Sequence, residues 1–216
     1  MQPATILAYG DSLSWGIIPN TRQRLAHDRR WPGILEAALT ASGEAVRVIE
    51  DCLNGRRTVW DDPYKPGRNG LKSLAQSIEA HSPVSVLIIL LGTNDFQSMH
   101  AYTAFHSAQG VAALVEAARR APIEAGMPVP RIIVVAPPPI TEPKGPLAPK
   151  FLGAASKCAG LANAYREIAT ALDCSFVDSN TVTSASRIDG IHLDADQHGA
   201  LGRALVNVVA PLLARA

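Results

Sequence analysis

Apolar positions in this chain gather into five short runs separated by longer mixed segments. The runs are Thr5–Tyr9, Val46–Glu50, Val84–Leu91, Arg131–Ala136 and Ser175–Val177. They are mostly apolar throughout rather than alternating, the pattern of strands buried on both faces of a parallel sheet. The segments between them follow a helical period. Leu71, Leu74, Ala75 and Ile78 stand at i, i+3, i+4 and i+7 and predict a helix over Leu71–Ala80. Further helices are expected over Trp31–Ser42, Ala104–Arg120, Gly153–Leu172 and Ala195–Ala214, the last with Asp194 as its N-cap. Strand and helix in alternation predict an α/β fold of three layers, with right-handed crossovers.

Two stretches fit neither period. One is Ile17–Arg30. The other is Pro137–Lys150, whose six prolines exclude a regular helix. Both follow strand ends or the turn after them, where open α/β sheets bind their ligands. Pro137–Lys150 reads either as a stiff surface loop or as part of a site.

Composition narrows the function classes. The chain has 216 residues, the size expected of one domain spanning residues 1–216. Lys plus Arg number 20 and Asp plus Glu 19, for a net charge of +1, which argues against a nucleic-acid surface. Apolar residues make up 47% and charged residues only 18%, which excludes disorder and hints at surface covered in a homo-oligomer. Cys52, Cys158 and Cys174 lack metal-ligand spacing and read as reduced thiols. The longest apolar run, Val86–Leu91, is too short to span a bilayer, and the N-terminus has no secretory pattern. The expectation is a soluble, cytoplasmic protein without membrane partners. No dinucleotide, Walker or paired Cys/His motif asks for a cofactor or metal.

The candidate chemistry lies where strands end. The first strand runs into Gly10-Asp11-Ser12-Leu13. Ser12 is placed either as an exposed nucleophile or as a helix N-cap. The third strand ends in Gly92-Thr93-Asn94-Asp95, where the Asn94 amide either donates to a developing oxyanion or makes a turn bond. Asp95 is expected to cap the next segment. After the second strand, Gly55 either aims a backbone N–H into a cleft or serves its turn. Near the C-terminus, Asp189 precedes His192 by three residues across Gly190, so its carboxylate can hold the imidazole Nδ1–H. The other histidines, His198 among them, read as surface or capping side chains. Trp15 and Phe96 are either core aromatics or walls of an acyl pocket.

Taken together, GDSL at 10–13, the glycine after strand two, GTND at 92–95 and DGIH at 189–192 resemble the SGNH hydrolases, also called GDSL esterases and lipases. The resemblance implies a flavodoxin-like three-layer α/β/α sandwich with a five-stranded parallel sheet. It implies Ser12 as nucleophile, Asp189 and His192 as acid and base, and an oxyanion hole from Ser12, Gly55 and Asn94. Closer matches in GDSLSWG, RWPGILE, LNGRRT and LIILLGTND resemble the small bacterial arylesterases. That subgroup includes acyltransferases and perhydrolases and is often homo-oligomeric. The implied activity is hydrolysis of short-chain acyl or aryl esters, with acyl transfer to alcohols or peroxide. An uncharged small-molecule ester would need no electrostatic steering. A carbohydrate acetylesterase, an acyl thioesterase and a flavodoxin-like module without catalysis are the alternatives.

Overall fold

The computed structural model describes residues 3–214. Five strands form one parallel sheet in the order β2-β1-β3-β4-β5. They are β1 (Ala4–Gly10), β2 (Val46–Cys52), β3 (Val86–Leu90), β4 (Arg131–Ala136) and β5 (Ser175–Asp178). In β1, Ile6 and Ala8 enter one core, while Leu7 and Tyr9 enter the other. Both sets are shielded from water, which is why apolar and polar positions do not alternate along the strand.

Helices cover both faces. On one side α2 (Trp31–Ala41) and α7 (Ala195–Leu213) supply Trp31, Leu35, Leu201 and Leu205 to the core. On the other, α3 (Gly70–His81), α4 (Ala104–Arg119) and α6 (Leu161–Ala171) supply Leu74, Ile78, Leu114 and Tyr165. Two one-turn helices complete the set, α1 (Ser12–Trp15) and α5 (Ala154–Lys157). Among the described residues no helix is long and apolar enough to cross a membrane.

Several expectations are corrected. The helix expected over Gly153–Leu172 is two pieces, α5 and α6. Gly160 lies between them at φ +80°, a left-handed conformation that ends the helical hydrogen-bond pattern. Asp194 occupies the N-cap position of α7, but its carboxylate accepts from Ser186 Oγ at 2.9 Å instead of capping. The proline-rich stretch is not wholly irregular, since Gly145–Phe151 winds as a 3₁₀ helix. His198, read as a surface or capping residue, is fully buried in α7, and its Nδ1 accepts from the Trp31 N–H at 3.3 Å.

The sheet order places the site. Sequential strands run outward from β1 to β2 and in the other direction from β3 to β5. The carboxyl ends of β1 and β3 therefore flank the point where the order reverses, the usual ligand crevice of such sheets. Gly10 and Leu90, the last residues of these two strands, are register partners.

Candidate active site

Ser12 follows β1 directly. Asp11, not Ser12, caps α1: its Oδ1 accepts from the Leu13 N–H at 2.9 Å. Ser12 is thereby free of the capping role, and its Oγ stands 3.1 Å from His192 Nε2. His192 Nδ1 lies 2.6 Å from Asp189 Oδ2. The other carboxylate oxygen of Asp189 accepts the N–H groups of Ile191 and His192, both at 2.9 Å. With Nδ1–H donated to the carboxylate, Nε2 presents its lone pair to the serine. Burial raises the Asp189 pKa, but the hydrogen bond and charge of His192 and the two N–H groups outweigh it. The carboxyl is held below its ordinary value.

The turn carrying these two residues is built by its neighbours. Gly190 has φ +75°, and a Cβ there would lie 2.3 Å from the Glu142 carbonyl oxygen. Only glycine fits that crossing without displacement of backbone. The proline-rich segment is the wall it crosses. Thr141 N–H donates to the Gly190 carbonyl and Lys144 N–H to that of Asp189, both at 2.9 Å. Pro137–Lys150 thus braces the Asp189–His192 turn.

Asn94 enters the same crevice from the end of β3 and is 4% exposed. Its Nδ2 donates to Asp11 Oδ2 at 2.9 Å and to the Arg56 carbonyl at 3.2 Å, while its Oδ1 accepts from Gln97 Nε2 at 2.9 Å. Burial raises the Asp11 pKa to about 6, against the opposing pull of the Leu13 N–H, His192 and Asn94. Arg56 ties the strand ends together, donating to the carbonyls of Gly10 at 3.1 Å and Asp51 at 2.5 Å. Gly55, in the turn after β2, has φ +87°. Ser12, Gly55, Asn94 and His192 line one cavity of about 60 Å³.

The remaining site expectations fare differently. Trp15 and Phe96 do not line this cavity. Phe96 is fully buried in the core beneath α3, α4 and α6, and Trp15 lies under the Arg24 guanidinium at 4.8 Å. Asp95 makes no local cap. It is fully buried and accepts from the Thr58 N–H, Thr58 Oγ1 and Ser107 Oγ at 3.0, 2.9 and 2.6 Å. It joins the loop after β2 to α4. Asp11, Arg57 and Gln97 orient Asn94, and Arg22, Lys65 and Lys150 stand in the cavity wall, contacts that no sequence motif announces. Only Asp11 carried a local signal, as a residue type favoured at N-caps. Among the described residues no group of three or more His, Cys, Asp or Glu side chains could hold a metal ion.

Known proteins share this fold. A carbohydrate acetylesterase family member from Sinorhizobium meliloti superposes with a TM-score of 0.91 at 37% identity, covering 98% of this chain and 99% of its own. The native aryl esterase of M. smegmatis superposes with a TM-score of 0.91 at 35% identity, covering 97% and 99%. An arylesterase of Vibrio mimicus is 33% identical over 90 residues, which span 42% of this chain and only 37% of that protein. Residues 8–200, from within β1 into α7, match the family of GDSL-like lipases and acylhydrolases, and the chain belongs to that family.

Proposed function

We propose that the protein is a carboxylic ester hydrolase acting on short-chain acyl and aryl esters through an acyl-Ser12 intermediate. The observation that carries this reading is the unbroken relay from Asp189 to His192 to Ser12, at 2.6 and 3.1 Å, opening on a cavity that Asn94 and Gly55 share. The likeness to an aryl esterase and a carbohydrate acetylesterase over nearly the whole chain supports it.

His192 Nε2 takes the Ser12 proton as Oγ bonds to the ester carbonyl carbon. The carbonyl oxygen becomes an oxyanion, which the N–H groups of Ser12 and Gly55 and the Asn94 amide would receive. The 3.2 Å bond from Asn94 Nδ2 to the Arg56 carbonyl is the longer of its two, and an oxyanion is the stronger acceptor. Collapse of the intermediate breaks the ester C–O bond, and the imidazolium returns its proton to the departing alcohol. Water then repeats the sequence and frees the acid. An alcohol or peroxide in place of that water would take the acyl group instead.

A serine-reactive phosphonate, followed by mass mapping, should label Ser12 alone, and Ser12→Ala should abolish both labelling and turnover of 4-nitrophenyl acetate. A folded Ser12→Ala protein of ordinary activity would remove the assignment. Deacetylation of an acetylated sugar, set beside the aryl ester, separates the acetylesterase reading.

A further inference from the structure

The wall of the candidate active site is basic. Arg22, Lys65 and Lys150 line the cavity that holds Ser12 and His192. Arg68 joins them next to Gly55: its Nε donates to the Asn54 carbonyl at 3.0 Å, and Lys65 Nζ approaches the same oxygen at 3.3 Å. These four side chains come from three separate segments, and none forms an ion pair among the described residues. Asp62, whose charge reaches both lysines, is already paired with Arg57 at 3.1 Å.

Such an arrangement opposes folding. Like charges held together repel, and partly buried ammonium groups lose hydration. Both costs register on the lysines. Burial lowers the pKa of Lys65, and the charges of Arg68, Arg22 and Lys150 lower it further. Burial also lowers that of Lys150; Asp62 opposes this, while Arg57, Arg22 and Arg68 add to it. A surface with no use for this field would place carboxylates among the cations, as it does for Lys72 and Asp61 at 2.8 Å. The whole chain is almost neutral at +1, so the positive field belongs to the site and not to the overall composition.

The cavity's shape divides the substrate. The space beside Ser12 is the narrowest of the hollows here, about 60 Å³. A wider hollow of about 620 Å³ adjoins it, sharing Lys65 and Lys150 and walled by Tyr64, Ser98, Met99, Pro149 and Asp62, whose carboxylate is the one that pairs with Arg57. A second hollow of about 310 Å³ adjoins the cavity on the side of Arg22, Leu147 and His192, so each of the two spaces open to the departing alcohol portion carries cations of this wall, and the larger carries the two lysines.

We propose that the alcohol portion of the natural ester carries an anionic oxygen group, carboxylate or phosphate, held by Lys65 and Lys150 within the field of Arg22 and Arg68. This rests on the esterase reading above and names its substrate class. Steering of an anion into a basic cleft raises association rates by roughly 10–10³ and weakens with salt.

The test compares 4-acetoxybenzoate with its methyl ester, each rate corrected for intrinsic alkaline lability, in low salt and in about 0.5 M NaCl. The anionic ester should have a kcat/KM at least roughly tenfold higher in low salt, and the ratio should fall as salt is added. The double variant Lys65→Gln/Lys150→Gln should bring that ratio to within about threefold of one. 4-Acetoxyphenyl phosphate, run alongside, assigns the anion: a ratio above that of the benzoate selects phosphate, and one below it selects carboxylate. Turnover of the methyl ester with no preference for either anion overturns this proposal and leaves the esterase reading intact. A preference that survives in the double variant overturns the assignment to these lysines. Turnover of none of the three esters overturns the esterase reading as well.

Discussion

Gln97 Nε2 donates to the side-chain oxygen of Asn94 at 2.9 Å. The other end of Gln97 is held too, since Arg57 Nη2 donates to its Oε1 at 2.6 Å. Arg57 is itself fixed by Asp62 at 3.1 Å, with both side chains buried. The charge of Arg57 therefore decides which way Gln97 faces, and Gln97 decides which way Asn94 faces. Nδ2 of Asn94 is left pointing to Asp11 and the Arg56 carbonyl.

Gln97→Glu should break that sequence at one atom. The new carboxylate still accepts from Arg57, but it sets an acceptor against Asn94 Oδ1. Turning the amide would bring Oδ1 against Asp11 Oδ2, which is no better. Loss of one oxyanion donor costs about 10²–10³ in turnover, and a misaligned one should cost about tenfold or more. The loss should fall on kcat, with KM within about threefold, because the donor acts on charge that exists only in the transition state. Steady-state kinetics on 4-nitrophenyl acetate measure this. A change confined to KM would mean that Gln97 shapes the cavity and does not orient the donor.

This arrangement also marks the limit of what the sequence discloses. The strands were legible because Ile6, Leu7, Ala8 and Tyr9 are apolar on both faces, a local property. The candidate triad positions were legible because each sits in a short motif, Ser12 directly after β1 and Asp189 and His192 in the turn before α7. Asp189 and His192 are three residues apart, so their bond follows from one turn. Arg57 and Gln97 are forty residues apart, and nothing local announces that they touch. Nor does anything local announce that Lys65 and Lys150 line one hollow, or that Asp95 meets Thr58 and Ser107, which lie on other segments. Periodicity reports how much of a residue is buried, not what it meets. The break at Gly160 was hidden for a related reason, since the apolar spacing runs on through it and only the left-handed φ reveals it.

Asp189→Asn should keep the turn and lose the chemistry. An amide oxygen in place of Oδ1 still accepts from the N–H groups of Ile191 and His192. The amide nitrogen then faces Nδ1 as a donor, and the imidazole proton moves to Nε2, which faces Ser12. The base is then unable to take the serine proton. A loss of about 10³–10⁴ in kcat is expected, with little change in melting temperature. Turnover within tenfold of wild type would show that the carboxylate does not set the tautomer.

Acid should weaken the fold through His198. Burial, with the charges of Arg30 and His192, lowers its pKa to about 4. In the unfolded chain an imidazole titrates near about 6.5, so the folded state binds fewer protons between the two values. The stability His198 contributes is complete above about pH 6.5 and is lost as pH falls through about 4. Asp11 and Asp95, both raised to about 6 by burial, work in the opposite direction in that window, being more favourable as pH falls. Comparison with His198→Gln isolates the one group, because the amide oxygen can still accept from the Trp31 N–H. Urea denaturation should show the wild type losing about 3 kcal/mol relative to the variant between pH 7 and pH 4. Parallel pH profiles for the two proteins would mean that His198 is protonated inside the fold.

Gly202→Ala tests how closely α7 packs on α2. A Cβ at this position would lie 2.9 Å from Cβ and Cγ2 of Ile34 and 2.9 Å from the Trp31 carbonyl oxygen. Two opposing effects follow. Alanine in a helix interior is favoured over glycine by about 1 kcal/mol. Forcing a methyl group into a filled interface costs about 1–3 kcal/mol. The contact decides between them. A flexible side-chain tip could swing away, but the Trp31 oxygen belongs to the first turn of α2, and Ile34 is branched at the atom in contact. Relief then requires the two helices to separate, and they hold Leu35, Leu39, Leu201 and Leu205 between them and the sheet. The packing cost should prevail, with a net loss of up to about 2 kcal/mol and a melting temperature lower by up to roughly 8 °C for a chain of this size. His192 is positioned by the turn before α7 and by Pro137–Lys150, so turnover per folded molecule should change far less than the melting temperature. A variant that melts at or above the wild-type temperature would show that α2 and α7 yield at this crossing and that helix propensity, not close packing, governs position 202.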